Sequence, residues 1–227
     1  MRIAAAAVLV PIALFSAWSG GWVFVAFVTV LGAIMATEWW SMATKSDLSQ
    51  NQKRKWLAIG VPYILLPLVC LMFLRADIAF GLGAVILVFV SVWSADTLAY
   101  FAGRTFGGPK LMPSVSPNKT WAGFFGAVLG GLIAAVMVFY FFGLTNLPAA
   151  AFLGAAIGGL EQGGDLFESA AKRKFGVKDS GSIIPGHGGV LDRVDGLMAA
   201  VVAAWLFGAV RTGDWQSAAA GLLSWPI

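Results

Sequence analysis

The sequence predicts an all-α, polytopic integral membrane protein with about seven transmembrane helices. Hydrophobic residues make up 59% of the 227 residues, and the mean hydropathy is +0.83. Only 11% of the residues are charged, whereas a soluble domain carries about a quarter. Because so few polar side chains cannot cover a water-facing surface, an ordinary soluble domain is excluded. The single cysteine, Cys70, lies in an apolar run, so we expect a buried thiol and no disulfide.

Seven apolar segments approach the length of about 20 residues that a helix needs to cross a bilayer. They are roughly 3–18, 21–40, 56–74, 78–102, 121–142, 146–168 and 188–210. A signal peptide at 3–18 is the alternative for the first segment. We expect a span there, because only one basic residue precedes it and no small-x-small cleavage site follows. The tail, 214–227, is too short for a span and is expected to lie at the membrane interface.

Lys and Arg fall mostly on one side of these spans. With the N-terminus inside, twelve lie on the cytoplasmic side, Arg75 and Arg211 lie outside, and Arg193 lies within a span. Because cytoplasmic loops are enriched in Lys and Arg, this distribution predicts that orientation. The long polar connections 41–55, 103–120 and 169–187 then all face the cytoplasm.

Seven of the eleven acidic residues lie in or at the ends of predicted spans, where each ionisable group costs about 2.5–3.5 kcal/mol on insertion. Four charged residues share one face of the sixth span, at i, i+4, i+7 and i+11: Glu161, Asp165, Glu168 and Lys172. Asp192 and Asp195 lie three residues apart in the last span. We expect these two spans to be antiparallel, with their carboxylates facing each other. The cluster is either a structural salt-bridge network or a site for a hard cation such as Mg²⁺.

The connection before the last span is basic and rich in glycine. Its glycines allow backbone N–H groups to approach a phosphate closely at the start of a helix. They are Gly181, Gly186, Gly188 and Gly189. An ordinary re-entrant turn is the alternative, and a lone His187 is more often structural than catalytic. Basic side chains beside oxygen ligands for a metal favour phosphoryl or nucleotidyl transfer.

A second polar stretch precedes the fifth span. Asp96 and Tyr100 lie four residues apart near the cytoplasmic end of the fourth span, and SPNKT occupies 116–120. Its hydroxyls and its ammonium group suit a phosphate. The alternatives are that Ser or Thr caps the following helix and that Lys119 snorkels to the membrane surface.

Residues 169–195, SAAKRKFGVKDSGSIIPGHGGVLDRVD, resemble the signature of the phosphatidate cytidylyltransferases, or CDP-diacylglycerol synthases. Every polar element of that signature is present, at Ser169, Lys172, Arg173, Lys178, Asp179, Pro185, His187, Gly188, Gly189, Asp192, Arg193 and Asp195. GDLFES at 164–169, SPNKTWAG at 116–123 and AYFAGRTFG at 99–107 also resemble the family. One departure matters: Ala122 stands where the family usually has Glu, so this protein either does without that carboxylate or uses Glu161 or Glu168 in its place.

The resemblance implies that CTP and phosphatidic acid give CDP-diacylglycerol and pyrophosphate. It implies that Asp165 and Asp192 hold Mg²⁺ or Mn²⁺, and it leaves a second cation open. The implied catalytic residues are Lys172, Arg173, Asp192 and Asp195. The implied substrate-binding residues are Ser116, Lys119, Thr120, Lys178, Asp179, His187, Gly188, Gly189 and Arg193. Supporting positions are Asp96, Tyr100, Glu161, Glu168 and Ser169.

We therefore expect one transmembrane domain, with N-terminal spans in 1–75 and a catalytic portion at about 78–210. The expected setting is a bacterial-type inner membrane, with the polar active site at the cytoplasmic end of the C-terminal helices. Expected partners are CTP, phosphatidic acid and membrane lipid, with no nucleic acid, and a homodimer is left open. The alternatives are a cation- or proton-coupled transporter, or a CTP-dependent lipid kinase.

Overall fold

The computed structural model describes residues 2–183 and 188–225. Seven long helices in this part of the chain overlap the seven predicted spans. They are α1 (Arg2–Ser19), α2 (Gly21–Lys45), α3 (Gln50–Ala76), α4 (Gly81–Phe106), α5 (Trp121–Phe141), α6 (Leu147–Phe175) and α7 (Leu191–Thr212). The predicted helical membrane fold is therefore confirmed.

Five of these helices are long and apolar enough to cross a membrane: α2, α3, α4, α5 and α7. The part of α1 whose side chains the structure describes, Leu9–Ser19, is apolar but shorter than a full span, and α6 carries the charged face predicted for the sixth span. The chain is thus an integral membrane protein, while seven crossings stay a prediction.

Several helices extend beyond their apolar segments into the polar connections. The sixth was expected to end at 168, but α6 continues to Phe175, where Gly176 adopts a left-handed conformation with φ +75°. The extra turns are stabilised by an ion pair between Glu168 and Lys172, one helical turn apart. Hydropathy alone misses such ends, because polar side chains continue a helix once it leaves the apolar layer.

Glycine lets consecutive helices pack closely and antiparallel. Gly130 of α5 lies directly against the carbonyl of Ser94 on α4, and Gly131 lies against Gly154 on α6. A Cβ at any of these glycines would collide with backbone atoms, so α5 is held between α4 and α6 without intervening side chains. The connections 46–49 and 107–120, and the described parts of the connection before α7, 176–183 and 188–190, consequently lie at one end of the bundle.

The connection before α5 contains a short β-hairpin, which the sequence did not indicate. Strand β1 (Lys110–Met112) pairs antiparallel with β2 (Ser116–Thr120). The strands pair Lys110 with Thr120 and Met112 with Ser116. A hairpin forms because backbone groups between two membrane helices need partners, and pairing within the connection supplies them.

The tail packs into the protein, which its length alone did not indicate. A short helix, α8 (Ala218–Leu223), has five buried residues, and its Gly221 lies against Gly208 of α7. Arg211 donates hydrogen bonds to the carbonyls of Gly221 and Ser224. These contacts tie the start of the tail to the last long helix.

Candidate active site

A pocket of about 620 Å³ opens between α4, the hairpin, α5 and α6. Its walls combine carboxylates, amides and cations from segments far apart in sequence. The lining residues are Asp96, Ala99, Tyr100, Gly103, Arg104, Asn118, Lys119, Thr120, Gly123, Gln162 and Asp165. The sequence predicted five of these as site residues, and the fold brings them to one cavity.

Lys119 crosses from the hairpin to α6. Its Nζ lies 2.6 Å from Oδ2 of Asp165 and donates to Oε1 of Gln162 at 2.7 Å. Only 15% of the Lys119 side chain is exposed, against 31% for Asp165. Lys119 therefore points into the protein, which rules out the snorkelling alternative. Ser169 donates to the other oxygen of Asp165, at 3.2 Å, so the predicted supporting position does contact that carboxylate.

Acidic groups from α4 and α6 converge at the inner wall of the pocket. Asp96 lies within electrostatic range of Glu161, Asp165 and Lys119. Glu161 is almost fully buried and accepts a hydrogen bond from Gln162 Nε2 at 2.6 Å. The arrangement places several oxygen donors together, with one lysine among them.

Lys172 joins the two charged helices. Its Nζ lies 2.5 Å from Oε2 of Glu168, one turn earlier on α6, and 2.6 Å from Oδ1 of Asp192 on α7. All three side chains are nearly buried, with 11%, 0% and 5% exposed. The prediction that carboxylates of the two spans face each other is confirmed, and the lysine offsets their repulsion. Asp195 lies in the same buried region, near Glu168 and Asp165.

Asp192 also organises the glycine-rich connection. Its Oδ2 accepts hydrogen bonds from the Ser180 N–H at 2.9 Å, the Ser180 hydroxyl at 3.0 Å and the Gly189 N–H at 2.8 Å. Gly188 has φ +82°, and a Cβ there would lie 2.5 Å from the same oxygen. The Gly189 N–H expected to face a phosphate is therefore used by Asp192. Gly186 and His187 lie outside the described residues.

The remaining predicted residues take different positions. Thr120 is buried and accepts a hydrogen bond from the Gly123 N–H at 3.1 Å, so the capping alternative is confirmed, although Thr120 also lines the pocket. Ser116 lies at the far end of β2 and is not among the lining residues. Arg173 is exposed and donates to the Val177 carbonyl at 3.3 Å. Lys178, Asp179 and Arg193 are exposed as well, as are Asp96 and Tyr100 at the pocket.

A family model described as the cytidylyltransferase family matches residues 47–210. The chain belongs to the cytidylyltransferase family. The predicted resemblance is thereby confirmed. A phosphatidate cytidylyltransferase of Brucella abortus biovar 1 (strain 9-941) is 49% identical over 161 residues, covering 69% of this chain and 58% of the relative. One of Rickettsia felis is 36% identical over 207 residues, covering 87% of both chains. This cytidylyltransferase-family chain thus spans about 58% of the length of its Brucella relatives.

In this cytidylyltransferase-family chain, the residues of the site fit a hard cation whose coordination shell would be completed by oxygen atoms of the substrate. No group of three or more Asp, Glu, His or Cys residues close enough to hold a metal ion occurs within 2–183 and 188–225. Mg²⁺ usually takes only one or two carboxylates, together with water and substrate phosphates. Asp165 offers such a carboxylate at the pocket wall, although its two oxygens already contact Lys119 Nζ and the Ser169 hydroxyl. Both oxygens of Asp192 are engaged by protein donors, so a metal there requires some of those bonds to be exchanged.

Sequence reasoning missed several residues of the site in this cytidylyltransferase-family chain. Arg104 and Asn118 line the pocket, and Gln162 bridges Lys119 and Glu161. Arg104 lies four residues after Tyr100 and donates to its hydroxyl at 2.8 Å, so helical spacing could have identified it. Glu38 contacts the connection before α7, and no local pattern indicates that contact.

Proposed function

We propose that the chain is a phosphatidate cytidylyltransferase, which converts CTP and phosphatidic acid to CDP-diacylglycerol and pyrophosphate. The observation that carries the proposal is the pocket in which Lys119 and Asp165 meet beside Asp96 and Arg104. It combines cations for a polyphosphate with carboxylate ligands for a metal, in a membrane protein of the cytidylyltransferase family. The names of the relatives support this substrate pair.

The reaction requires positioning and charge neutralisation more than proton transfer. An oxygen of the lipid phosphate forms a bond to the α-phosphorus of CTP, and the bond from that phosphorus to the β-phosphate bridging oxygen breaks. Pyrophosphate carries away the electron pair. Because the attacking phosphate is already ionised at neutral pH, no strong general base is needed. Holding the two phosphates in line therefore supplies most of the acceleration.

The lysines and arginines act on the phosphates. Lys172, held between Glu168 and Asp192, is the buried cation next to the charged connection and stabilises negative charge that develops on the leaving group. Lys119 orients Asp165 and offers its charge to the pocket. Arg104 lies at the pocket wall, where its guanidinium donates to the Tyr100 hydroxyl. Arg173 and Lys178, which are exposed, suit the outer phosphates of the nucleotide.

A divalent cation fits the acidic wall of the pocket. Asp165 would hold it, with Asp192 as the second expected ligand and Asp96 nearby. Bound Mg²⁺ or Mn²⁺ neutralises phosphate charge and fixes the orientation of the phosphates. Ser169 and Lys119 hold the Asp165 carboxylate in place for that role. A second cation remains a prediction.

The lipid must reach this pocket sideways from the membrane. Exposed aromatic side chains lie close in sequence to pocket-lining residues of the same two elements, including Phe101 on α4 and Trp121 and Phe125 on α5. They suit acyl chains, while the phosphate head group reaches Lys119.

Asp165 lies ten residues before the end of α6, which corresponds to about 15 Å along the helix. Asp165 also lies three residues before the end of the apolar segment at 168, so the hairpin brings Lys119 to the polar edge of the membrane, where a lipid head group and a nucleotide can meet. The proposed setting is a bacterial inner membrane, with the pocket open to the cytoplasm.

Purified protein mixed with CTP, phosphatidic acid and Mg²⁺ should release pyrophosphate and form a cytidine-labelled lipid in equal amounts. Diacylglycerol in place of phosphatidic acid tests the kinase alternative, which would form phosphatidic acid and CDP. Vesicles with an ion gradient test the transporter alternative. Absence of labelled lipid, together with either of those activities, would contradict the proposed function.

A further inference from the structure

Glu38 is a buried carboxylate on α2 that contacts the connection before α7. Only 4% of the residue is exposed. Its Oε1 accepts a hydrogen bond from the Val190 N–H at 2.8 Å, and its Oε2 accepts from the Leu191 N–H at 2.9 Å. The Ser180 hydroxyl lies 3.2 Å from Oε2 and shares its single proton between that oxygen and Oδ2 of Asp192. The residue also lies outside the segment 47–210 that matches the family.

These contacts make Glu38 the cap of α7 from a distant part of the chain. The residue at the cap position, Val190, makes no side-chain capping hydrogen bond. The first N–H groups of a helix have no partners within the helix, and its N-terminus favours a negative charge. Glu38 precedes Val190 by 152 residues in the sequence. Its carboxylate supplies the two acceptor oxygens for these N–H groups and the negative charge at the N-terminus of the helix.

The same short segment is held from its other side by Asp192. The Ser180 hydroxyl contacts both carboxylates, at 3.2 Å from Glu38 and 3.0 Å from Asp192. A Cβ at Gly189 would lie 2.6 Å from both Glu38 oxygens, so only glycine allows this close approach. Asp192 in turn holds Lys172. A continuous set of hydrogen bonds therefore runs from α2 to the lysine on α6.

We propose that Glu38 is a positioning residue, which fixes the start of α7 so that Asp192 and Lys172 keep their places in the reaction. Among the described residues, its hydrogen bonds go to Ser180 and to the backbone N–H groups of Val190 and Leu191, so it acts through these groups and does not line the pocket. The expected effect of Glu38 on turnover rests on the proposed function, whereas its expected effect on the backbone at the start of α7 does not.

Glu38→Gln tests the proposal with nearly unchanged volume. The amide retains one acceptor oxygen and turns an NH₂ group toward a backbone N–H, which weakens the cap. In the full chain in detergent, we expect hydrogen exchange of Val190 and Leu191 to accelerate at least tenfold, while exchange in α4 and α5 is unchanged. With Mg²⁺ and saturating phosphatidic acid, kcat should fall at least tenfold and the KM for CTP should change less than threefold.

Asp47→Asn is the matched control, since it removes an exposed carboxylate nine residues later without contacting the connection. It should change neither exchange nor turnover. Unchanged exchange in Glu38→Gln overturns the proposal, as does faster exchange with undiminished kcat. If the wild-type protein lacks cytidylyl transfer but Glu38→Gln still accelerates exchange, the proposed function fails and the anchoring of α7 by Glu38 stands.

Ser180→Ala provides a second variant in case Glu38→Gln does not fold. It removes only the hydroxyl that joins Glu38 to Asp192 and keeps the backbone N–H bond to Asp192. We expect at least a threefold loss in kcat and faster exchange limited to 180–192. In the double variant the two losses should not multiply, because both act through the same segment. A Ser180→Ala variant with wild-type exchange and turnover would overturn the proposal.

Discussion

Lys119 and Asp165 form an ion pair, with 2.6 Å between Nζ and Oδ2, that joins the β-hairpin to α6. The pair connects residues 46 positions apart and brings the SPNKT segment against the charged face of the sixth helix. Both side chains line the same pocket. The hairpin is therefore a wall of the candidate site, in addition to being the connection between two membrane helices.

Replacing Lys119 with Ala should reduce cytidylyl transfer by well over tenfold. The variant removes a charged hydrogen-bond donor, and such a bond is worth about 1.5–3 kcal/mol. Lys110→Ala is the matched control, because Lys110 is exposed on the same hairpin and does not line the pocket. Steady-state release of pyrophosphate measures both. Comparable small effects would mean that the hairpin serves only as a cap and a connector.

Asp165→Asn and Asp192→Asn should each abolish turnover while the protein stays folded. Each variant removes a negative charge expected at the cation site, and Asp192→Asn also weakens the hold on Lys172. Turnover as a function of Mg²⁺ concentration, with size-exclusion elution as the test of folding, measures the effect. Near-normal activity of both variants at ordinary Mg²⁺ concentrations would refute the metal assignment.

Asp195→Asn should also impair turnover, by disturbing the buried acidic region rather than by removing a ligand. Asp195 accepts a hydrogen bond from the Gly196 N–H at 2.8 Å and lies near Glu168 and Asp165. We expect a reduced kcat with an unchanged dependence on Mg²⁺. A shift of the Mg²⁺ dependence as large as that of Asp165→Asn would instead make Asp195 a ligand.

Cysteine labelling should place the polar connections in the cytoplasm. Gln50, Thr145 and Ser182 are exposed, and the only native cysteine, Cys70, is buried. In oriented membrane vesicles, Gln50→Cys and Ser182→Cys should react with an impermeant maleimide from the cytoplasmic side, and Thr145→Cys from the other side. Labelling of Ser182→Cys from outside would remove the site from CTP and contradict the charge-based orientation.

Gly131→Ala should destabilise the helical bundle, because a Cβ there would collide with the backbone of α6 at Gly154. Overpacking of this kind costs about 1–3 kcal/mol. Gly163→Ala is the matched control, since no atom lies within 4 Å of a Cβ at that position. Thermal unfolding in detergent should show a lower midpoint for the first variant alone. Equal midpoints would show that α5 and α6 can separate without loss of stability.

The sequence alone determined the membrane class, the approximate helices and one charged helix face. Hydropathy reports the fit of each segment to the bilayer, and the 3.6-residue period places Asp165, Glu168 and Lys172 together whatever the surrounding fold. The family signature indicated the chemistry in the same way, through residues close in sequence.

Only the tertiary structure decided which partners these residues take. Lys119 had two expected roles, as a phosphate ligand or as a snorkelling cation, and the packing of the hairpin against α6 turned it inward, where it contacts Asp165. No local sequence pattern indicated the contacts of Glu38, because its partners lie 142 to 153 residues away. Local spacing determines which face of a helix a side chain occupies. The neighbour on that face depends on how the helices pack, since burial forces each charged group to find its acceptors or donors across the bundle.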